Sequence, residues 1–413
     1  MRRPVRALAP ILIAASLVST LTARRAQPVP LYAARTGLMC ASCHFDPNGG
    51  GPRNEFGFAF ARQRHELTPE DSTSQWAGLS LTNKVGDSFP LYFGLNQRFM
   101  VLANSSVQSD SLDRFGFYSM ETALYMAFQP HPRLTLVYSR DGFEGGSSTQ
   151  DAFGMITGLP VDGYLKAGRF RTPFGLRMDD HTVATRNSFL DFQSSSATPP
   201  PLEPSFLPYD PRVPDEGLEY GMTHGGWFGR TSVTNGSNGV PTPLVGQYAA
   251  AWTAKLGYNH PRFQVAGSFY DDYFNRGTSL YGYKRVTRWG GYGLTHWKRL
   301  AFLGELDAGT DMTPSGQKVN KLAGFAEVDY APARWTNVRV RYDDVELPRP
   351  DVPGIGDLGI YHRWSLEGEF VPVPFAEIRW AIRYIDPKLG TDPNTLQEIP
   401  NERQAFVQFH FSY

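Results

Sequence analysis

The stretch "FAEIRWAIRY", residues 375–384, decides the fold because apolar and polar side chains alternate along it. One face of the extended segment carries four apolar side chains: Ile378, Trp380, Ile382 and Tyr384. The other face carries three charged ones: Glu377, Arg379 and Arg383. This period of two residues predicts a β-strand with one apolar and one polar face. Strands of a soluble sandwich alternate in the same way, so the pattern alone leaves sandwich and barrel open.

The same period recurs outward along the chain, for example in "VRVRY" (338–342) and "RLTLVYS" (133–139). We count about sixteen strand-like segments, an even number as barrels require. Links after the even-numbered segments are short, for example "HGGW" and "YAPAR", whereas those after the odd-numbered ones are long and polar, for example residues 176–214. Outer-membrane barrels have short periplasmic turns and long extracellular loops. The sequence therefore predicts an all-β, antiparallel transmembrane barrel of about 16 strands with both chain ends in the periplasm.

Aromatic residues support the barrel prediction. Trp227, Trp297 and Trp335 fall at short turns, where an aromatic girdle meets the membrane interface. The chain ends "AFVQFHFSY" (405–413), with an apolar residue at every second position and an aromatic last residue, which resembles the C-terminal assembly signal of outer-membrane barrels. The formal net charge of zero argues against a nucleic-acid partner.

Residues 1–23 have the pattern of a secretory signal peptide. Arginines at positions 2, 3 and 6 precede an apolar run from Leu8 to Val18, and Ala23 is the predicted cleavage point. The rival interpretation, a retained anchor, is disfavoured because the run is shorter than the roughly 18–20 residues that span a membrane. The mature chain is thus expected outside the cytoplasm, in the outer membrane.

The stretch "GLMCASCHFDPNGGG" (37–51) holds both cysteines of the chain. A disulfide between Cys40 and Cys43 would close too short a loop to stabilise much. A zinc site would need a second ligand pair, which is absent nearby. Cys-x-x-Cys-His instead predicts one covalently attached haem c, with His44 as an iron ligand.

The polar stretch "LTPEDSTSQWAG" (67–78) separates this motif from the strands. We therefore predict a monohaem cytochrome c segment at residues 24–78 and a porin-like barrel at residues 79–413. So short a segment buries too little core to fold alone. Because a 16-strand barrel encloses a wide lumen, we expect the segment to plug that lumen.

Three motifs of the N-terminal region are "YAARTG" before the haem motif, "CASCHF" itself, and P-x-N-x-F-G in "PRNEFG". With these motifs, residues 29–64 resemble the N-terminus of the fused cytochrome–porin family, the outer-membrane monohaem cytochromes of iron-oxidising bacteria. The rest of the chain resembles that family by pattern only. The resemblance implies thioether bonds at Cys40 and Cys43 and a proximal ligand at His44. It also implies iron(II) oxidation at the cell surface, an oxidoreductase activity, with electrons passed to a soluble periplasmic cytochrome. Three consecutive glycines at 49–51 and Arg53 depart from the pattern and weaken the iron assignment.

The sixth iron ligand is open on the sequence. His65 falls on the face of Phe58 and Ala61 if "NEFGFAFARQRHEL" is a helix, which makes it a candidate cofactor and metal ligand beside His44. The alternative is a solvated histidine between basic residues. Met100 on the first strand is a second candidate, whereas Met39 adjoins Cys40 too closely.

Two functions of different classes follow from these features. The first is an electron relay from an extracellular donor through one haem to a periplasmic carrier, with the outer-membrane lipid as the barrel's surroundings. The alternative is a diffusion porin whose haem-bearing plug acts as a gate. Haem peroxidase chemistry would need an open iron position and a distal acid–base residue, and the sequence shows neither.

Overall fold

The structure is a computed structural model, and it describes a defined set of residues. These are residues 30–67, 81–88, 90–106, 109–142, 148–176, 183, 185–186, 206–207, 214–236, 250–273, 283–346, 360–387 and 401–413. The predicted signal peptide and most of the 67–78 stretch lie outside them.

Among the described residues, two helices and one 3-10 turn precede the strands: α1 (Pro30–Thr36), the turn Cys40–Ser42 and α2 (Glu55–Arg62). Seventeen strands follow: β1 (Lys84–Val85), β2 (Leu91–Ser106), β3 (Ser109–His131), β4 (Leu134–Asp141), β5 (Ser148–Leu159), β6 (Gly163–Phe170), β7 (Asp215–His224), β8 (Trp227–Thr234), β9 (Ala251–His260), β10 (Phe263–Tyr273), β11 (Arg285–Trp297), β12 (Leu300–Met312), β13 (Lys318–Tyr330), β14 (Thr336–Glu346), β15 (Ile360–Val373), β16 (Ala376–Pro387) and β17 (Glu402–Ser412).

Strands β2 to β17 form a closed antiparallel barrel. Each strand pairs with the next one, and β17 pairs with β2 to close the wall, with Val407 opposite Val101. The short β1 pairs only with the start of β2. The predicted all-β barrel of 16 strands is therefore confirmed.

Side chains alternate across the wall as predicted from residues 375–384. In β16, Ile382 is 58% exposed and points outward, whereas Glu377 and Arg383 are buried at 4% and point inward. Outward positions of other strands carry Leu256, Trp289 and further large apolar side chains. A closed barrel with an apolar outer surface and a polar interior is a transmembrane barrel of the outer-membrane type. None of the helices among the described residues is long and apolar enough to cross a membrane.

The alternation of short and long links holds except at two places, residues 107–108 between β2 and β3 and residues 313–317 between β12 and β13. The links after β3, β5, β7, β9, β11, β13 and β15 have two to five residues and lie at one end of the barrel, the short-turn end. Most opposite links are longer, but β2 and β3 extend so far that only residues 107–108 join them. Trp227 at the short-turn end is 56% exposed beside Tyr258, as a girdle residue requires. Trp335 does not fit the girdle, because Arg64 stacks 3.2 Å from its ring centroid.

Residues 30–67 lie inside the barrel, since they contact inward-facing side chains on strands around the whole wall. Leu31 and Phe60 pack with Leu294, Leu303 and Phe325 of β11, β12 and β13. On the opposite side, Phe45 joins a cluster from β2 to β6 that includes Tyr92 and Phe153. Each fully buried aromatic or aliphatic side chain contributes about 1.5–3 kcal/mol. The short segment thus draws its apolar core from the barrel wall.

The segment is fixed at the short-turn end. Phe58 packs 5.0 Å from Phe375 and 5.1 Å from Tyr413, measured between ring centroids. Gly37 has a φ of 67°, and a Cβ there would lie 2.4 Å from the carbonyl oxygen of Pro261. This close approach to the β9–β10 turn therefore requires glycine. The N-terminal segment therefore contacts Tyr413, the last residue of the chain, at the short-turn end of the barrel.

The link between β6 and β7 was expected outside the barrel, and its described parts lie within the lumen instead. Phe174, Phe206 and Leu207 are almost completely buried against strands β9 to β16. Arg186 forms ion pairs with Glu305 at 2.7 Å and with Asp307 at 3.3 Å. The expectation is wrong here because long-range apolar burial and buried ion pairs, which local polarity does not reveal, draw the link inward. We call these residues the inner link.

Candidate functional site

The Cys-x-x-Cys-His motif forms a compact turn clamped to α2. The amides of Cys43 and His44 both donate to the carbonyl of Cys40 at 3.1 Å. Asn54 caps α2 by accepting from the Gly57 amide at 2.9 Å, and its side-chain amide donates to the Ser42 carbonyl at 3.1 Å. The helix cap and the motif therefore share one residue, so that neither can move alone.

Gly57 sets how closely the motif and α2 approach. A Cβ at this position would lie 2.1 Å from the carbonyl oxygen of Cys43, which is far inside contact distance. Both cysteines are free thiols. Burial raises the pKa of Cys43 to about 11, so this thiol stays protonated at neutral pH.

A cavity of about 420 Å³ opens beside the motif, between the segment and the barrel wall. Cys40, Cys43 and His44 line one side of it, and His65 and Met100 also line it. The structure thus brings the motif and both candidate sixth ligands to one cavity. Met100 is 2% exposed on β2. Met39 lines the cavity too but packs partly against a cluster of Phe228, Ala266 and Tyr292.

His65 is positioned differently from the sequence expectation. Helix α2 ends at Arg62, and Arg64 and His65 adopt left-handed backbone with φ of 54° and 61°. The solvated alternative is also wrong, because His65 is only 9% exposed. Its amide donates to the carbonyl of Phe60 at 3.0 Å, and its ring stacks on Phe60 at 5.6 Å. Strained backbone at a buried histidine is typical of a functional position.

A short hydrogen-bond chain orients the His65 ring. Nδ1 of His65 lies 2.5 Å from the hydroxyl of Tyr32, and that hydroxyl donates to Glu369 at 2.5 Å. Because the hydroxyl proton goes to Glu369, the hydroxyl accepts from Nδ1–H, which leaves Nε2 as the ring's acceptor. Burial lowers the pKa of His65 to about 3, so the ring is neutral.

Sequence reasoning missed the partners of His65. Glu369 and Glu377 each place a carboxylate oxygen within 4.8 Å of a His65 nitrogen, and Arg379 forms ion pairs with both. His410 adds a second ring, 3.4 Å from Glu377. Alternation along β15, β16 and β17 identifies these side chains as inward-facing. Which of them meet is decided by barrel closure, which local pattern does not encode.

Buried charged side chains hold the loop that follows the cysteine motif against strands β6 and β7 of the barrel wall. Lys166 of β6 lies 3.1 Å from both Asp46 and Glu219, and Asn48 donates to Glu219 at 2.9 Å. Lys166 and Glu219 are completely buried. Removing one partner of such a pair costs about 3–5 kcal/mol because a charge is left buried. The loop therefore has a defined position against the wall.

The residues present fit a c-type haem. Two thiols one turn apart and the following histidine line a single cavity; Cys43 is buried, whereas Cys40 is exposed. Met39, Phe60 and Leu176 give the cavity an apolar part, whereas arginines of β14 and β16 give it a cationic part. Such a division matches a porphyrin, which has an apolar face and two carboxylate side chains.

No protein-family model matches the sequence, and no curated protein is similar to it. Solved structures share the fold. An anion-selective porin from Comamonas acidovorans is 8% identical with a TM-score of 0.54, over 79% of this chain and 100% of its own. Salmonella typhi OmpF, solved in complex with daunomycin, is 11% identical with a TM-score of 0.56, over 80% and 100%. Pseudomonas putida OprB is 10% identical with a TM-score of 0.54, over 78% and 94%. The chain thus has the porin barrel fold. Identities this low define the fold alone.

Proposed function

We propose that this protein is an outer-membrane electron relay with one covalently attached haem c. The observation that carries the proposal is the single cavity that Cys40, Cys43, His44 and His65 line together. When bound, the haem supplies a one-electron iron couple that neither lipid nor the β-barrel provides. The barrel wall contributes the surface on which the small segment is ordered.

The chain's own residues perform three tasks in this proposal. Cys40 and Cys43 anchor the cofactor, and His44 presents its ring to the iron. Tyr32 and Glu369 orient the His65 ring with Nε2 as its acceptor nitrogen, so His65 would be favoured over Met100 as a second residue holding the iron. Phe60, Met39 and Leu176 give the cavity an apolar part, and apolar surroundings would tune the potential of such a centre.

The donor and the acceptor are proposed from the family resemblance. Iron(II) outside the cell is the proposed donor, and a soluble periplasmic cytochrome is the proposed acceptor. The proposal places the short-turn end, with the segment and Tyr413, on the periplasmic side. The predicted signal peptide and barrel fold both support this orientation.

Haem attachment and reduction test the proposal. Purified protein should keep its haem through denaturing electrophoresis and acid–acetone extraction, and Cys40→Ala with Cys43→Ala should abolish the haem stain. In vesicles, external iron(II) should reduce the bound haem. Haem that extracts freely would refute covalent attachment, and haem reducible by dithionite but inert to iron(II) would refute the donor.

A diffusion porin with a haem-bearing gate is the second candidate, and the porin fold of the solved neighbours favours it. Ion conductance separates the two candidates. A relay with a filled lumen should conduct weakly in a bilayer, and deletion of residues 24–75 should open the pore while ending electron transfer. Conductance of the intact protein equal to that of an open 16-strand porin would favour the gated porin.

A further inference from the structure

The charged side chains of the short turns are unevenly distributed around the rim of the barrel. The seven links at the short-turn end lie entirely within the described residues and carry six charged side chains: Arg133, Asp162, Arg262, Lys298, Arg299 and Arg334. All six are exposed. Five of them are cations, so the turns at this end of the barrel are basic.

Four of the five cations occupy three consecutive turns. Arg262 lies in the β9–β10 turn and Arg334 in the β13–β14 turn, whereas Lys298 and Arg299 form the β11–β12 turn between them. Strands β9 to β14 pair in chain order, so these three turns are neighbours on the rim. We call these four side chains the basic sector.

The basic sector has an excess of positive charge. The Arg299 guanidinium donates to a backbone carbonyl of the next turn at 2.7 Å, and the Lys298 ammonium lies 4.9 Å from the ring centroid of Trp297. Both of these partners are uncharged. Glu66 of the N-terminal segment is a carboxylate that attracts Arg334. One carboxylate cannot balance four cations, so the sector stays positive.

The first two turns of the sector contact the chain just before the cysteine motif. Pro261, which precedes Arg262, lies against Gly37, three positions before Cys40. At the end of β11, Nδ1 of His296 lies 2.5 Å from the carbonyl oxygen of Ala34. This part of the sector is therefore in contact with the chain that leads into the motif.

The third turn contacts the other end of the segment. Arg334 and Arg64 both lie over the ring of Trp335, at 5.4 Å and 3.2 Å from its centroid. Arg64 immediately precedes His65. A protein seated on the basic sector would therefore lie next to both parts of the segment that line the cavity of the proposed haem.

We propose that the basic sector is the docking surface for a soluble protein with a carboxylate-rich face, which serves as the electron acceptor of the relay. The inference rests on the proposed function and deepens it, because it gives the chemical character of the partner. Opposite charges across an interface accelerate association and exclude partners of the wrong charge. A carboxylate-rich face is the complement of four exposed cations on adjacent turns.

Anionic lipid headgroups are the other anions that meet the rim of an outer-membrane barrel. Lipid surrounds the whole barrel, so residues that bind headgroups should be spread around the rim. The cations instead occupy one sector, and the turns on either side of it, residues 225–226 and 374–375, have no charged side chain. This distribution favours a partner that contacts the rim on one side.

A matched pair of probes tests the docking surface. One probe is a soluble cytochrome c with a basic surface, and the other is the same cytochrome after succinylation of its lysines, which makes the surface acidic. The full-length protein is placed in nanodiscs of phosphatidylcholine, a lipid without net charge. At low salt the succinylated probe should bind at least about tenfold more tightly than the native one. Salt at about 1 M should remove the difference, since the Debye length is then about 3 Å.

Variants localise the preference. Arg262→Glu should weaken binding of the succinylated probe by about threefold or more, and Arg262→Glu with Arg299→Glu should abolish the preference. Arg133→Glu is the matched control and should change neither affinity, because Arg133 and Arg262 both end a His-Pro-Arg turn but Arg133 lies outside the sector. Heat modifiability on gels reports whether each barrel is folded. The comparison of the two probes on the unmodified protein remains decisive if a variant does not fold.

Three results would overturn the inference. Equal affinity of the unmodified protein for the two probes would remove the docking surface. Equal effects of Arg262→Glu and Arg133→Glu would place any preference outside the basic sector. Equal probe affinities, together with retention of phosphatidylglycerol that is lost in Arg262→Glu with Arg299→Glu, would assign the sector to lipid headgroups.

The outcomes also separate this inference from the proposed function, because probe binding is measured whether or not the protein carries haem. A haem stain together with equal probe affinities would keep the relay and remove this surface. A preference for the succinylated probe in protein without covalent haem would keep a surface for acidic proteins and refute its role in electron transfer.

Discussion

Tyr32 of α1 donates a 2.5 Å hydrogen bond to Glu369 of β15, a residue 337 positions further along the chain. The same hydroxyl lies 2.5 Å from Nδ1 of His65. One phenol therefore joins the segment's first helix, its last histidine and the barrel wall. The link is buried, so its hydrogen bonds have no water to replace them.

Tyr32→Phe removes both hydrogen bonds and leaves the ring's packing in place. We expect the free energy of opening of residues 30–67 to fall by about 1–3 kcal/mol, since Glu369 and His65 lose a buried partner. Hydrogen exchange of these residues, followed by mass spectrometry, measures the change. Tyr220→Phe on the outer surface is the control and should have no effect. Equal effects of the two variants would contradict the role of Tyr32.

Gly57→Ala tests the close approach of α2 to the cysteine motif. The added methyl group would lie 2.1 Å from the Cys43 carbonyl, so the turn must move. In haem-free Cys40→Ala protein, we expect Cys43 to react with maleimide at least about tenfold faster, which corresponds to about 1.4 kcal/mol of opening free energy. Gly116→Ala is the control because an added Cβ there meets nothing within 4 Å. An unchanged rate in Gly57→Ala would mean that the turn tolerates the methyl group.

We call the state in which residues 30–67 are held inside the barrel docked, and its stability should depend on pH because of His65. Its pKa is about 3 in the docked state, because of burial, and near 6.5 when the segment is released. The released state therefore binds more protons between these values, so docking is fully stable above about pH 6.5 and weakens as pH falls towards 3. In haem-free protein the contribution is up to about 1.4 kcal/mol per pH unit. Hydrogen exchange of residues 30–67 at pH 4, 5 and 7, corrected for the pH dependence of the intrinsic exchange rate, gives the free energy of opening at each pH. His65→Gln should reduce the slope of this free energy against pH. Identical slopes in both proteins would exclude His65 as the source.

Topology is testable at two described positions on opposite ends of the barrel. Ser315 lies in the link between β12 and β13, and Pro332 lies in the short turn between β13 and β14. Antibody should reach an epitope tag at Ser315 on intact cells, and it should reach a tag at Pro332 only after the outer membrane is opened. Access to both tags on intact cells would contradict the barrel's proposed orientation.

The barrel was predictable from sequence because apolar side chains of the outer face and polar side chains of the inner face alternate along each strand. Residues 375–384 show this directly, since Ile382 is outward and Arg383 inward as the period requires. The inner link was not predictable, because Phe206 and Arg186 owe their burial to strands far away in sequence. The end of α2 was missed for a local reason. Arg64 and His65 adopt left-handed backbone, which non-glycine residues seldom do.

Of the candidate site, sequence spacing supplied Cys40, Cys43, His44, His65 and Met100 as candidates, and the structure places all five on one cavity. It did not supply Tyr32 or Glu369. Their meeting depends on the registers of the strands that close the barrel. A single sequence carries no signal for such a contact.

The pairing of β17 with β2 also bears on the order in which the protein is assembled. The last strand of the chain completes the wall, whereas Cys43, near the start of the chain, ends 5% exposed inside it. Under the proposed function, a catalyst that attaches the cofactor to both thiols would have to reach Cys43 before β17 pairs with β2. A chain whose β17 paired with β2 before that attachment would therefore have a closed wall around an unmodified Cys43.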